Sequence, residues 1–81
     1  MIRKIPLKSR DFIEAECLRV ARLQVGCRHL KGVKIRRTKP IGSGPNWEVL
    51  AFVPELPPIA RKEAMNALDV LRGTYALAAT S

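Results

Sequence analysis

Between Asp11 and His29, apolar side chains recur every three or four residues, which is the spacing of a helix with one buried face. Asp11 suits the cap position, and Glu14 completes the capping-box spacing three residues later. Gly32 suits the left-handed conformation that commonly follows a helix end. The pattern therefore predicts a first helix that starts at Asp11 and ends near His29.

A second helical stripe follows the segment PELPP. Pro58 fits the first helical position, because an amide hydrogen there would have no partner within the helix. The stripe then continues as far as Tyr75, and residues 77–81 are expected to form a frayed tail. Its apolar positions are Ala60, Ala64, Ala67, Leu68, Leu71 and Tyr75.

Two strands are predicted between the helices, from Val33 to Lys39 and from Trp47 to Val53, joined by the loop PIGSGPN. The first strand alternates apolar and polar residues. The second is apolar on both faces, so that either face suits the core. Trp47, Val49, Ala51 and Val53 share one face of this strand, and Leu50 and Phe52 share the other.

The order helix, strand, strand, helix predicts a small α+β domain that spans residues 1–81. A two-stranded hairpin is marginal alone, so both helices are expected to pack on one of its faces. Residues 1–9 are expected to form an arm, or an edge strand through Ile5–Leu7. The predicted core consists of Ile13, Cys17, Val20, Ala21, Val33, Ile35, Ala64, Leu68 and Leu71, with Val49 or Leu50.

Positive charge is concentrated in the first half of the chain. Residues 1–39 hold twelve Lys and Arg against three acids, whereas residues 40–81 hold three against four, and the whole chain carries +8. Such an asymmetry indicates a polyanionic partner or a solvated basic surface. The candidate nucleic-acid-binding residues are Arg19, Arg22, Arg28, Lys31, Lys34, Arg36, Arg37 and Lys39.

Catalytic and metal chemistry find little support in the sequence. His29 is the single histidine, so a nucleophile-histidine pair has one candidate base, and Cys27 with His29 lacks further ligands for a metal. The glycines of GSGPN are not followed by the Lys and Ser or Thr of a phosphate-binding loop. We therefore expect a protein that is not an enzyme and has no metal or cofactor.

The cellular setting is predicted from the cysteines and the apolar runs. Cys17 and Cys27 fall in one predicted helix, about 15 Å apart, which is too far for a disulfide. Free thiols are typical of a reducing compartment. No stretch reaches the roughly 18 apolar residues of a membrane span. The expected location is the cytoplasm, without membrane binding.

Two functions from different classes remain open. The first is a non-enzymatic protein that binds nucleic-acid phosphates without strong sequence specificity. The second is an interaction subunit whose apolar hairpin face docks on itself or on an acidic partner. For a homodimer, the expected interface consists of Trp47, Val49, Ala51 and Val53, because two helices cover one face of the hairpin only.

Overall fold

Two helices, a β-hairpin and a short pair of strands make up the part of the chain that the structure describes. The computed structural model describes residues 5–39 and 44–78. The elements along the chain are β1 (Leu7–Lys8), α1 (Arg10–Ala21), β2 (Gly32–Arg37), β3 (Trp47–Val53), α2 (Pro58–Thr74) and β4 (Ala76–Leu77).

Both helices pack on the same face of the antiparallel hairpin β2–β3. The predicted α+β fold, with the order α-β-β-α, is therefore confirmed. The face that carries Val33 and Ile35 meets the helices, and Val20 is the one predicted core residue that is only half-buried. The helices bury Ile13, Cys17 and Ala21 from α1 and Ala60, Ala64, Leu68 and Leu71 from α2.

Helix α1 ends at Ala21, well before the predicted end near His29. A helix as far as His29 would be about 29 Å long, whereas the six residues of β2 span only about 20 Å. The chain instead turns, with Gly26 in the left-handed conformation at a φ of 82°. This turn brings Cys27 and Leu30 into the core.

The start of α1 also differs from the prediction. Ser9, not Asp11, caps the helix, and its hydroxyl accepts a hydrogen bond from a first-turn amide at 3.2 Å. Glu14 instead accepts a hydrogen bond from the amide of Ile35 at 3.0 Å, and Arg10 donates one to the carbonyl of the same residue at 2.8 Å. Helix α1 is thereby fastened to the edge of β2.

A β-bulge determines which side of β3 is buried. Val49 and Ala51 pair with consecutive residues of β2, so that Leu50 is the extra residue between them. Trp47 and Val49 face the core before the bulge, and Phe52 faces it afterwards. Strict alternation would place Trp47 and Val49 on one face and Phe52 on the other, whereas the bulge allows all three to be buried.

The N-terminal segment pairs with the C-terminal one. Strand β1 runs parallel to β4, and among the described residues these two strands form a pair separate from the hairpin. The edge strand expected at Ile5–Leu7 therefore does not extend the hairpin. The reason is that the edge of β2 is already occupied by side chains of α1.

The tail begins later than expected, because Leu77 is 1% exposed and packs in the core. The side chain of Asn46 accepts a hydrogen bond from the amide of Leu77 and donates one to its carbonyl, both at 2.9 Å. The prediction that the tail frays from residue 77 onward is therefore wrong for Leu77. Residues 79–81 lie outside the described part of the chain.

Candidate nucleic-acid interface

All eight predicted nucleic-acid-binding residues lie in the described part of the chain and are exposed. They do not form one continuous surface. Lys34 and Arg36 alternate with the buried Val33 and Ile35, so they project from the outer face of the hairpin, the face turned away from the helices. Arg19 lies on α1, which packs against the opposite face.

Two of the eight residues form ion pairs. Arg19 contacts the carboxylate of Glu16 at 2.8 Å, one turn earlier on α1. Arg36 contacts Glu48, which lies directly opposite on β3. The first pair has an i, i+3 spacing that is visible in the sequence. The second depends on the hairpin register, which the sequence did not provide.

Other arginines stabilise the fold through backbone carbonyls. Arg37 donates a hydrogen bond to the carbonyl of Ala78 and so ties the end of β2 to the tail. Arg72, which was not predicted to have a role, donates one to the carbonyl of Trp47 at 3.1 Å. Since these guanidinium groups already have partners, they are poorer candidates for binding phosphate.

Five cations of the predicted set have no acidic or carbonyl partner within residues 5–39 and 44–78. Lys34 projects from the outer face of β2, Lys31 directly precedes this strand, and Lys39 follows it. The other two occupy the connection from α1 to β2. These unpaired cations are Arg22, Arg28, Lys31, Lys34 and Lys39.

Backbone contacts fix the position of the unpaired cations on and beside β2. The amide of Lys31 donates a hydrogen bond to the carbonyl of Val53 at 2.7 Å, and the amide of Thr38 donates one to the carbonyl of Asn46 at 2.9 Å. These bonds extend the hairpin ladder beyond both ends of β2. Lys31 and Lys34 therefore stand on a rigid backbone.

The thiols are buried and poorly suited to nucleophilic chemistry. Burial, together with the nearby carboxylates of Glu14 and Glu16, raises the pKa of the Cys17 thiol to about 12, and burial also raises the pKa of Cys27. The reactive thiolate is thus scarce at neutral pH. Among the described residues, no three His, Cys, Asp or Glu side chains are grouped to hold a metal ion.

The predicted dimer interface is wrong in its first two residues. Trp47 is fully buried and Val49 is 9% exposed, because the bulge turns both toward the helices. Leu50, Ala51 and Val53 remain exposed on the outer face, with Leu50 at 54% and Val53 at 42%. Two of the four expected residues are thus unable to contribute to an interface on the outer face.

Among the described residues, the most exposed large apolar side chains lie elsewhere, where the connection after α1 meets the start of α2. Val25 is 90% exposed and Ile59 is 82% exposed. They line a shallow cleft of about 620 Å³ together with Gly26 and Pro57. No helix within the described residues combines the length and the apolar character that crossing a membrane requires.

Comparison of the chain with protein-family models, with curated proteins and with solved structures finds no match. Evidence for a function therefore comes from the geometry of the cations.

Proposed function

We propose that the protein is a small, non-enzymatic nucleic-acid-binding protein that contacts phosphates. One observation carries this proposal: five of the eight predicted cations have no partner within the described residues, and three of them follow the line of β2. A cation without an internal partner is free to neutralise a phosphate and to release its condensed counterion. The other three cations of the predicted set already have partners.

Binding without strong sequence specificity is part of the proposal. Base readout in the major groove rests most often on side chains such as Arg, Asn or Gln that make two hydrogen bonds to one base from a helix or ribbon. The outer face of β2 presents Lys34 and the ion-paired Arg36 instead, next to the apolar Leu50 and Val53 of β3. Lysine acts as a point charge toward phosphate and carries little sequence information.

The proposal is tested by fluorescence anisotropy with a labelled 20-base-pair DNA of random sequence. If the five unpaired cations each neutralise one phosphate, the logarithm of the binding constant falls with the logarithm of salt concentration at a slope of about −4.5. Affinity no tighter than millimolar at low salt would contradict the proposal.

Matched variants separate the site from the net charge. The double variant Lys31→Gln/Lys34→Gln is expected to reduce the magnitude of the slope by about 2, because two phosphate contacts are lost. The control is Arg61→Gln/Lys62→Gln, which removes the same charge from exposed positions on α2. Equal effects of the two variants would mean that net charge alone attracts the DNA.

The alternative is an interaction subunit that docks on an acidic protein. The exposed Val25 and Ile59 favour it more than the hairpin face does. Competition with poly-glutamate distinguishes the two functions, since tighter binding to this polymer than to DNA at equal salt would favour the alternative. A cytoplasmic location also belongs to the proposal, and the free thiols of Cys17 and Cys27 support it.

A further inference from the structure

The aromatic side chains of the protein are all engaged within the fold. The sequence has four of them, and all four lie in the described residues. Trp47 is fully buried, and its indole Nε1 donates a hydrogen bond to the carbonyl of Tyr75 at 2.9 Å. Phe52 is 6% exposed and packs in the core. Neither ring of the hairpin is therefore available to a ligand on the outer face.

The other two rings contact each other. Phe12 and Tyr75 pack edge to face, with their ring centroids 5.3 Å apart and an interplanar angle of 84°. The ammonium group of Lys8 lies 4.9 Å from the centroid of Phe12, so that a cation covers this ring as well. A nucleobase could stack on Phe12 only by displacing Lys8.

Proteins that bind single strands without sequence preference combine a basic groove with aromatic rings on which successive bases stack. The unpaired cations of this protein have no such ring beside them on the hairpin. Stacking contributes about 1–3 kcal/mol per base in those proteins, so its absence removes a large share of single-strand affinity. Duplexes need no stacking, because their bases are already stacked on one another.

The spacing of the lysines also suits the regular phosphate backbone of a duplex. Lys34 lies on β2 and Lys31 and Lys39 flank it, and the hydrogen-bond ladder between β2 and β3 continues past both ends of the strand. Eight residues of extended chain separate the first from the last, roughly 26 Å. A duplex of about eight base pairs has this length, with phosphates at fixed intervals. Cations carried by a hydrogen-bonded backbone can meet such an array without ordering a flexible strand.

We infer that the ligand of the unpaired cations is double-stranded nucleic acid, in preference to single strands. This inference depends on the function proposed above and narrows it to one class of ligand. The duplex also has the higher charge density, which increases counterion release for each contact.

The experiment compares a 20-base-pair DNA duplex with each of its two single strands, and repeats the comparison with RNA of the same sequence, at one low salt concentration. We expect the duplex to bind about tenfold more tightly than either single strand. A duplex preference below about threefold would overturn the inference and leave the proposed function intact. Absence of binding to either form would overturn the proposed function itself.

Phe12→Ala provides an independent test, because Phe12 is the ring nearest to solvent at 37% exposure. The variant is expected to leave the affinity for single strands unchanged within about twofold, since no base stacks on this ring. A loss of more than about fivefold for single strands, with duplex affinity retained, would reveal a stacking platform and overturn the inference.

Discussion

The carboxylate of Glu14 links α1 to the edge of the hairpin. It accepts the amide hydrogen of Ile35, a backbone group that the partner strand does not satisfy. Together with the contact from Arg10 to the carbonyl of Ile35, this bond occupies an edge that would otherwise be open to another strand. Glu14, which the sequence pattern assigns to a helix cap, therefore makes a tertiary contact instead.

Replacing Glu14 with Ala is expected to lower the free energy of unfolding by about 2 kcal/mol, because the amide of Ile35 loses a charged acceptor. Asp11→Ala is the control and is expected to cost at most about 0.5 kcal/mol, since Asp11 is exposed and does not cap the helix. Urea denaturation measures both. A larger loss for Asp11→Ala would indicate that Asp11 and Glu14 form a capping box in this helix.

Cys17 introduces a pH dependence at alkaline pH. Its pKa is raised to about 12 in the folded protein, whereas the unfolded thiol ionises near 9.0. The unfolded state therefore loses the proton first, so this contribution to stability is complete below pH 9 and diminishes as the pH rises toward 12. Between pH 9 and pH 10 the decrease is about 1 kcal/mol.

The measurement is the free energy of unfolding of the wild type and of Cys17→Ala at pH 8, 9 and 10. The other ionisable groups, Cys27 included, are common to both proteins. We expect the difference between the two proteins to shrink as the pH rises. Parallel curves would show that the Cys17 thiol ionises equally in the folded and unfolded states.

The end of α1 is determined by the turn at Gly26. A straight continuation of the helical pattern would leave this glycine inside a helix, where alanine is more favourable by about 1 kcal/mol. In the observed turn its φ is 82°, a conformation that costs a residue with a Cβ about 1–2 kcal/mol. A continued helix would therefore make Gly26→Ala stabilising, whereas the observed turn makes it destabilising.

We expect Gly26→Ala to lower the free energy of unfolding by about 1 kcal/mol, measured by thermal or urea denaturation. A Cβ at this position would lie 3.5 Å from the Cβ of Ala60, an ordinary contact, so the expected cost comes from the backbone. Gly73→Ala serves as the control, because Gly73 is inside α2 with open space around it. If Gly26→Ala stabilised the protein, this would indicate that the helix continues through residue 26.

The tail after α2 is part of the folded molecule. Leu77 fills the core beside the hairpin, the side chain of Asn46 holds its backbone, and Arg37 donates a hydrogen bond to the carbonyl of Ala78. The indole of Trp47 is satisfied by the carbonyl of Tyr75. Residues from both termini thus close the core at the end of the hairpin.

Leu77→Ala is expected to cost about 3 kcal/mol, in keeping with the removal of a fully buried leucine side chain. The control is Leu7→Ala, on the paired strand β1, where the side chain is 66% exposed and the expected cost is below about 1 kcal/mol. Unfolding in urea, followed by circular dichroism, measures both. A small and equal effect would mean that the tail is frayed from residue 77 onward.

Local patterns in the sequence were sufficient for the order of the main elements and for most of the core. Helical periodicity located α2, including Pro58 at its first position, and the turn residues separated β2 from β3. Alternation along β2 correctly directed Val33 and Ile35 inward. These properties depend on residues close together in the chain, which is why a linear pattern reveals them.

The remaining features depend on contacts between residues that are far apart in the chain. The bulge at Leu50, the turn at Gly26 and the burial of Leu77 follow from fitting helices, hairpin and tail around one core. The candidate site depends on the same fit. The sequence supplied the eight cations, but the pairing of Arg36 with Glu48 and of Arg37 with the tail arose from register and packing, because those partners lie 12 and 41 residues away.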